Sequence, residues 1–188
     1  MRPRSLLLMI FLLVANLCAA PLASACTPAS DAAKSEAALR ALTDLGADVK
    51  VSEANGQRKV MVITDGNWRG GDAGLVHLKD VAGLYKLRLA GDITDRGVAQ
   101  LADICGLTSL DLHVIGLTDA GVREFGRLTT LQRLNLTYTK VSDAGLESLA
   151  GLKNLQWLGV SYTRVTQAGL DKLRQSMDKT IIEGNPQR

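Results

Sequence analysis

The chain has 188 residues, with 22 Lys and Arg against 19 Asp and Glu and a formal net charge of +3. This length suits one domain, and the charge is too small for a nucleic-acid-binding field over the whole molecule. Three cysteines and two histidines, with no cluster among them, exclude a conventional zinc site, and no metal or cofactor is expected.

Residues 1–25 have the pattern of an export signal peptide. Arg2 and Arg4 form a basic start, residues 6–17 are apolar, and the triplet at 23–25 matches a small-x-small cleavage site. The apolar run is shorter than the ~20 residues that span a bilayer, so cleavage is favoured over an uncleaved membrane anchor, which stays the alternative. Two of the 22 basic residues lie in this segment, so 20 basic and 19 acidic residues remain, and no nucleic-acid partner is expected.

Cys26 would be the first residue after cleavage. The stretch LASAC at 22–26 resembles the lipobox of bacterial lipoproteins, although Ala23 stands where Leu is favoured. Lipid attachment through Cys26 and plain secretion therefore both stay open. In an oxidising compartment Cys26 could instead pair with Cys105, whereas lipidation would leave Cys105 as a free thiol.

A short tether at 26–30 precedes an expected N-terminal cap at 31–58. The cap begins with a predicted helix from Ser30 to Leu45, in which leucines recur every third residue. Two valine-rich strands then flank Asn55-Gly56, a strong tight-turn signal, and this predicts a β-hairpin.

The sequence L-x-x-L-x-L recurs from residue 84 onward. Its copies begin at Leu84, Leu107, Leu131 and Leu155, which are 23 or 24 residues apart, and VMV at 60–62 is a degenerate earlier copy. Such self-similarity predicts a repeat architecture. We assign 59–180 to the repeat domain and 181–188 to a C-terminal edge and tail, with Ile181-Ile182 closing the last edge.

Within one unit, alternation predicts a short strand. Leu134 and Leu136 point to one side, while Arg133 and Asn135 point to the other. The strand therefore separates a buried face from an exposed face.

Each unit continues with a phrase such as VSDAGL at 141–146. Ser142 or Asp143 is expected to cap a helix start, and Gly145 marks a close-packing position. The helix should then bury a stripe of leucines at intervals of three: Leu146, Leu149 and Leu152.

The equivalent acids Asp95, Asp119 and Asp143 should stack about 5 Å apart, which raises the alternative of a cation site. Gln167 replaces the acid in the last copy. Capping of the helices is therefore the favoured interpretation.

The complete pattern resembles the bacterial leucine-rich-repeat family related to the cysteine-containing subtype. Thr139 and Thr163 stand where relatives commonly carry Asn or Cys, and Asp92 and Ile115 depart from the pattern. The resemblance implies an α/β solenoid with a parallel sheet on its concave side and short helices on its convex side. It also implies protein binding, since members mostly bind proteins and the fold as such confers no catalysis.

The concave face is the expected binding surface for a protein or peptide. Its basic end and its aromatic end hold residue types that commonly anchor interfaces. The candidate contact residues are Lys86, Arg88, Asp111, His113, Arg133, Asn135, Tyr138, Trp157 and Tyr162. An alternative for Trp157 is that it only covers the gap left by Gly159.

Two rival functions remain. An envelope or scaffold component without a specific ligand would use its repeat surface for no recognition. A hydrolase would have to use Asp111 and His113, yet no Ser or Cys is placed by sequence to complete a nucleophilic set. We therefore expect an exported, non-enzymatic monomer.

Overall fold

The structure is a computed structural model that describes residues 32–114 and 116–184. The predictions for 1–25, for the tether at 26–30 and for lipidation of Cys26 lie outside the described residues. The same holds for Ile115 and for the tail from 185 onward.

A single sheet of seven strands runs through the described residues in chain order. The strands are β1 (Asp48–Ala54), β2 (Gln57–Ile63), β3 (Leu84–Ala90), β4 (Ser109–His113), β5 (Arg133–Asn135), β6 (Trp157–Gly159) and β7 (Ile181–Glu183). β1 and β2 form the predicted antiparallel hairpin, whose turn residues Asn55 and Gly56 have φ of 54° and 71°. All later pairings are parallel.

Helices precede the sheet and connect its parallel strands. They are α1 (Ala32–Asp44), α2 (Gly71–Gly74), α3 (Asp95–Ala99), α4 (Asp119–Arg123), α5 (Asp143–Glu147) and α6 (Gln167–Ser176). Three of them continue as 3-10 helices at Leu75–Asp80, Gln100–Asp103 and Glu124–Arg127. This alternation of parallel strands with short helices gives the predicted α/β leucine-rich-repeat solenoid.

The inward side chains of all units form one continuous hydrophobic core. Leu134 is 0% exposed. Leu146, Leu149 and Leu152 are buried as predicted, but the predicted helical stripe is wrong, because α5 ends at Glu147 and the latter two leucines lie in the following turns. Such short helices draw their stability from packing between units, since an isolated helix of this length is unstable.

The N-terminal helix α1 covers the first end of this core. Leu39 and Leu42 are buried, and the buried Ser35 hydroxyl accepts a hydrogen bond from the backbone N–H of Ala82 at 3.0 Å. The apolar end of the first repeat is thus shielded from water, which a solenoid requires at its termini.

The first repeat strand carries a register shift between Val60 and Met61. Met61 pairs with Lys86 and Ile63 pairs with Arg88. If VMV at 60–62 is aligned with the inward and outward positions of the later repeats, Lys59 is expected beside Lys86, and this expectation is wrong. The β-bulge changes the separation of paired residues only by one, so the error comes from the alignment of the degenerate copy at 60–62 with the later repeats.

The corner between strand and helix shows how the recurrent phrase works. Thr94, Thr118 and Ser142 are N-cap residues whose hydroxyls accept the backbone N–H two residues on, and Thr166 accepts that of Gly169. Of the two predicted candidates for the helix cap, Ser142 and Asp143, the N-cap residue is therefore Ser142.

The aspartates of the phrase connect one unit to the next. One carboxylate oxygen of Asp119 accepts the backbone N–H of Ser142 at 2.7 Å, and the other accepts the Ser142 hydroxyl at 2.6 Å. The same bidentate contact joins Asp72 to Thr94, Asp95 to Thr118 and Asp143 to Thr166. We call these contacts the aspartate clamps. They correct the expectation that these aspartates cap their own helices.

The glycine of the phrase leaves room for the clamp. A methyl group on Gly145 would come within 2.5 Å of Asp119 Oδ1, and one on Gly121 within 2.6 Å of Asp95 Oδ1. A side chain would therefore displace the carboxylate of the preceding unit.

The clamps run in one direction and end at both termini of the described stack. At the first end, the position held by Thr or Ser in later units is Gly71, which has no hydroxyl to bond an aspartate. The described residues contain no earlier unit that could supply such an aspartate. Gln167 stands after Thr166, and its side chain bonds Asp171 of its own helix at 2.8 Å. The acid is thus absent from the last unit that the structure describes.

Thr139 and Thr163 are buried at the turn after the strand. Their hydroxyls donate to the carbonyl oxygens of Leu136 and Val160, each at 2.7 Å. Because both acceptors lie in the same unit as the donor, these threonines stabilise individual turns and form no side-chain ladder between units.

Candidate functional site

The strand register brings the predicted outward residues onto two lines across the concave face. Neighbouring residues on a line are about 5 Å apart, because each comes from the next strand. The first line contains Lys86, Ser109, Arg133, Trp157 and Ile181. The second line contains Arg88, Asp111, Asn135, Gly159 and Glu183.

Asp111 lies at the centre of an Arg–Asp–His group on the second line. Arg88 Nε donates to Asp111 Oδ2 at 3.0 Å, and His113 Nε2 lies 3.1 Å from Asp111 Oδ1. The second contact is a hydrogen bond when Nε2 carries the imidazole proton. Apart from His113, no described residue offers a hydrogen bond to the buried Asp111 Oδ1.

This group lacks a neighbouring nucleophile among the described residues. Ser109, the hydroxyl residue closest along the strand, makes no hydrogen bond to His113 in the described structure, and no other Ser, Thr or Cys side chain bonds that imidazole. A carboxylate already paired with Arg88 orients the imidazole, but nucleophilic catalysis also needs a hydroxyl or thiol within reach.

Arg133 and Trp157 form a stacked pair on the first line. The Arg133 guanidinium carbon lies 5.2 Å from the centroid of the indole, within the range of a cation–π interaction. A methyl group on Gly159 would come within 2.5 Å of the Trp157 ring, so the indole lies over the glycine. Trp157 therefore covers Gly159 and also stacks with Arg133.

Two tyrosines stack on one another just beyond the strand ends. The rings of Tyr138 and Tyr162 are 4.6 Å apart and nearly parallel, and the residues are 54% and 62% exposed. Both have positive φ, 64° and 55°, a region that costs non-glycine residues energy. The equivalent position of the β3 unit is Gly91, with φ of 106°. The stacking of two aromatic rings offsets part of this backbone strain.

Asn135, a predicted contact residue, is committed within its own turn. Its side-chain oxygen accepts the backbone N–H of Thr137 at 3.0 Å. This bond is an Asx-type turn, which stabilises the strand exit, so Asn135 has less freedom to bind a partner.

The two lines border a shallow concavity of about 490 Å³. Positions at its margin or on the two lines that were not predicted as contacts include Tyr85, Thr108, Gln132, Ile181 and Glu183. Ile181 is 63% exposed beside Trp157, and Lys59 lies 5.5 Å from the ring centroid of Tyr85. The period could have placed Ile181, since it lies 24 residues after Trp157.

Other features of the described residues bear on cofactors and membranes. No group of three or more His, Cys, Asp or Glu within 32–114 and 116–184 is arranged to hold a metal ion. Within those same ranges, every helix is too short or too polar to cross a bilayer. Cys105 is disulfide-bonded, and both other cysteines of the chain, Cys18 and Cys26, lie outside the described residues.

Comparison with known proteins supports the repeat architecture. Residues 105–165 match the leucine rich repeat family. The structure is similar to that of internalin C2 from Listeria monocytogenes, with 19% identity and a TM-score of 0.54, over 67% of this chain and 61% of that one. This chain thus spans less than two thirds of the internalin structure.

A second solved structure resembles the chain more loosely. It is the leucine-rich-repeat ectodomain of the receptor kinase SOBIR1 from Arabidopsis thaliana, with 16% identity and a TM-score of 0.44, over 82% of this chain and 92% of that one. No curated protein is similar enough to count as a match. The family match covers about a third of the chain, and the fold shared with internalin C2 agrees with a leucine-rich-repeat solenoid.

Proposed function

We propose that this protein is an exported, non-enzymatic binding module that holds a protein or peptide segment on its concave face. The observation that carries the proposal is the Arg133–Trp157 pair beside an open concavity. Tryptophan and arginine are the residue types most often found at the energetic centre of protein interfaces. The leucine-rich-repeat fold supports the same reading, since it presents an extended concave surface.

Export is supported by the leader pattern at 1–25 and by the disulfide of Cys105. Disulfides persist in oxidising compartments outside the cytosol. Lipidation of Cys26 would occupy the same sulfur that a disulfide with Cys105 would use. Mass spectrometry of the protein isolated from its native cell distinguishes a thioether-linked lipid on Cys26 from a Cys26–Cys105 crosslink.

The absence of catalysis is part of the proposal. It rests on the Asp111–His113 contact, which has no hydroxyl or thiol partner among the described residues. A hydrolase screen with His113→Ala as control tests it. Hydrolysis that disappears in that variant would establish the enzyme alternative.

The binding test compares capture with folding. The protein without residues 1–25 is immobilised and used to capture proteins from an envelope extract of the native cell. Trp157→Ala and Arg133→Ala are each expected to weaken capture by about 2 kcal/mol, roughly thirtyfold, because they remove a central anchor. Lys79→Ala is the matched control, since Lys79 is exposed in the 3-10 helix after α2, away from the sheet.

Melting temperature separates an anchor from a cover. Because Trp157 also covers Gly159, its alanine variant is expected to lose some stability, whereas Arg133→Ala should melt almost like the parent. A loss of capture by Arg133→Ala without a loss of stability is therefore the decisive result. Equal capture by all three variants would support a scaffold without a specific ligand.

A further inference from the structure

The cations of the concave face are unevenly paired. Arg88 is bound to Asp111, and Lys50 of β1 contacts Asp48 at 3.2 Å. The remaining concave cations, Lys59, Lys86 and Arg133, have no carboxylate partner among the described residues. The only unpaired concave acid in the described sheet is Glu183, which lies on the last strand. The face therefore carries local positive charge, although basic and acidic residues nearly balance over the chain.

Arg133 is held in place without using its hydrogen-bond donors. Its guanidinium stacks on Trp157, but no side-chain hydrogen bond or ion pair involves it among the described residues. A guanidinium presents five N–H donors in a planar fork that matches a carboxylate. Stacking restricts this fork before any ligand arrives, which lowers the entropic cost of binding.

Lys86 and Arg133 face the same concavity from opposite sides of Ser109. Two strand spacings separate their backbones, about 10 Å, and the neutral hydroxyl of Ser109 lies between them. In an extended peptide, alternate side chains on one side are ~7 Å apart. The long, flexible side chains of Lys86 and Arg133 can span this difference.

We propose that the concave face recognises an acidic, extended peptide segment, in which one carboxylate binds the Arg133 fork and another binds Lys86. This inference rests on the proposed function, because it names the chemistry of the partner at that same site. Carboxylate–guanidinium pairs can be bidentate, which supplies geometric selectivity as well as affinity.

The geometry favours a peptide over single-stranded nucleic acid. Nucleic-acid readers combine a continuous cationic track with open aromatic faces on which bases stack. Here the Trp157 indole lies over Gly159 and is already stacked with Arg133, so it is not an open platform for a base.

The test uses defined probes with the protein lacking residues 1–25. Fluorescence anisotropy measures binding of a labelled peptide of alternating Glu and Thr, of its Gln–Thr and Lys–Thr counterparts, and of oligothymidylate. The Glu–Thr peptide is expected to bind at least tenfold more tightly than the Gln–Thr peptide, a difference of about 1.4 kcal/mol. Its affinity should fall as salt is added, because partly exposed charges are screened.

Charge-removing variants locate the site. Arg133→Gln is expected to weaken binding of the Glu–Thr peptide by about tenfold, and Lys86→Gln by a smaller factor, since a lysine contributes a point charge and no planar fork. Arg123→Gln is the matched control, because Arg123 is an exposed arginine at the end of α4. It removes the same net charge from the helical side and should leave binding unchanged.

Several results would overturn the inference. They are absence of Glu–Thr binding up to about 1 mM, an equal loss in Arg123→Gln, and tighter binding of oligothymidylate that disappears in Arg133→Gln. A preference for the Gln–Thr or Lys–Thr peptide that is lost in Trp157→Ala would overturn the acidic partner but leave the concave binding site standing. If no probe binds and capture from the extract is also independent of Trp157 and Arg133, the proposed function fails as well.

Discussion

The strand-to-helix corners and the concave face are built from the same repeats, yet they treat polar groups in opposite ways. At the corners, successive units reuse nearly the same residues, and each clamp aspartate has both oxygens bonded to the next unit. On the concave face the residue changes from strand to strand, and the Arg133 and Lys86 side chains have no carboxylate partner among the described residues. Repetition marks architecture because every internal unit meets the same neighbours, whereas variation marks the surface left for a ligand.

The largest expected effect comes from the core that both regions share. Leu134→Ala should lower the free energy of unfolding by ~2–5 kcal/mol, because Leu134 is 0% exposed and its truncation leaves a cavity. Urea denaturation measures this change. Lys86→Ala, on the opposite face of the sheet, serves as control and should change stability by less than about 0.5 kcal/mol. A Leu134→Ala midpoint equal to that of the parent would refute the inward register.

The aspartate clamp gives the next largest effect. Asp119→Ala leaves the backbone N–H and hydroxyl of Ser142 without their acceptor, and should cost ~1–3 kcal/mol. Gln167→Ala changes the equivalent position of the last described unit, where no clamp exists, and should cost less than about 0.5 kcal/mol. The comparison of the two unfolding free energies isolates the clamp from the helix start. Equal costs would mean that the aspartates act only within their own unit.

The smallest effect is expected at the stacked tyrosines. Tyr138→Asn removes a stack of ~0.5–1.5 kcal/mol, but Asn tolerates positive φ better, so the net change should stay within about 1 kcal/mol. Tyr162→Asn added to that variant should then be neutral or stabilising, since no stack remains to be lost. Thermal unfolding of the two single variants and the double variant measures this non-additivity. Simple addition of two losses would show that the rings contribute independently.

Sequence periodicity was sufficient for most of the fold. The leucine spacing predicted the parallel strands, because the same pattern recurs in every unit. Asn55-Gly56 predicted the hairpin, because a tight turn depends only on the residues within it. The register of β2 was not predicted correctly, because the copy at 60–62 matches the leucine pattern too weakly to fix its alignment, and only its pairing with β3 shows the register.

The role of the aspartates could not be obtained in the same way. A capping rule compares a residue with its own helix, whereas Asp119 bonds a residue 23 positions later. The outward position of Arg133 followed from alternation, but its unused donors did not, because they depend on the side-chain conformation over Trp157. The sequence therefore predicted which residues lie on the candidate binding face. It did not predict which of their charged groups are paired, because pairing depends on the side-chain conformations.

Because each clamp joins one unit to the next in a single direction, the clamps also determine which units can be duplicated in the gene without loss of these contacts. An internal unit carries both halves of the contact, as Thr118 receives the clamp of Asp95 and Asp119 supplies the next. Tandem duplication of that unit in the gene would insert a segment whose two ends already fit each other and both neighbours. Duplication of the last unit would instead place Gln167 where the copied Thr166 needs a carboxylate. Duplication of an internal unit therefore preserves every clamp, whereas duplication of the last described unit would create one junction without a clamp.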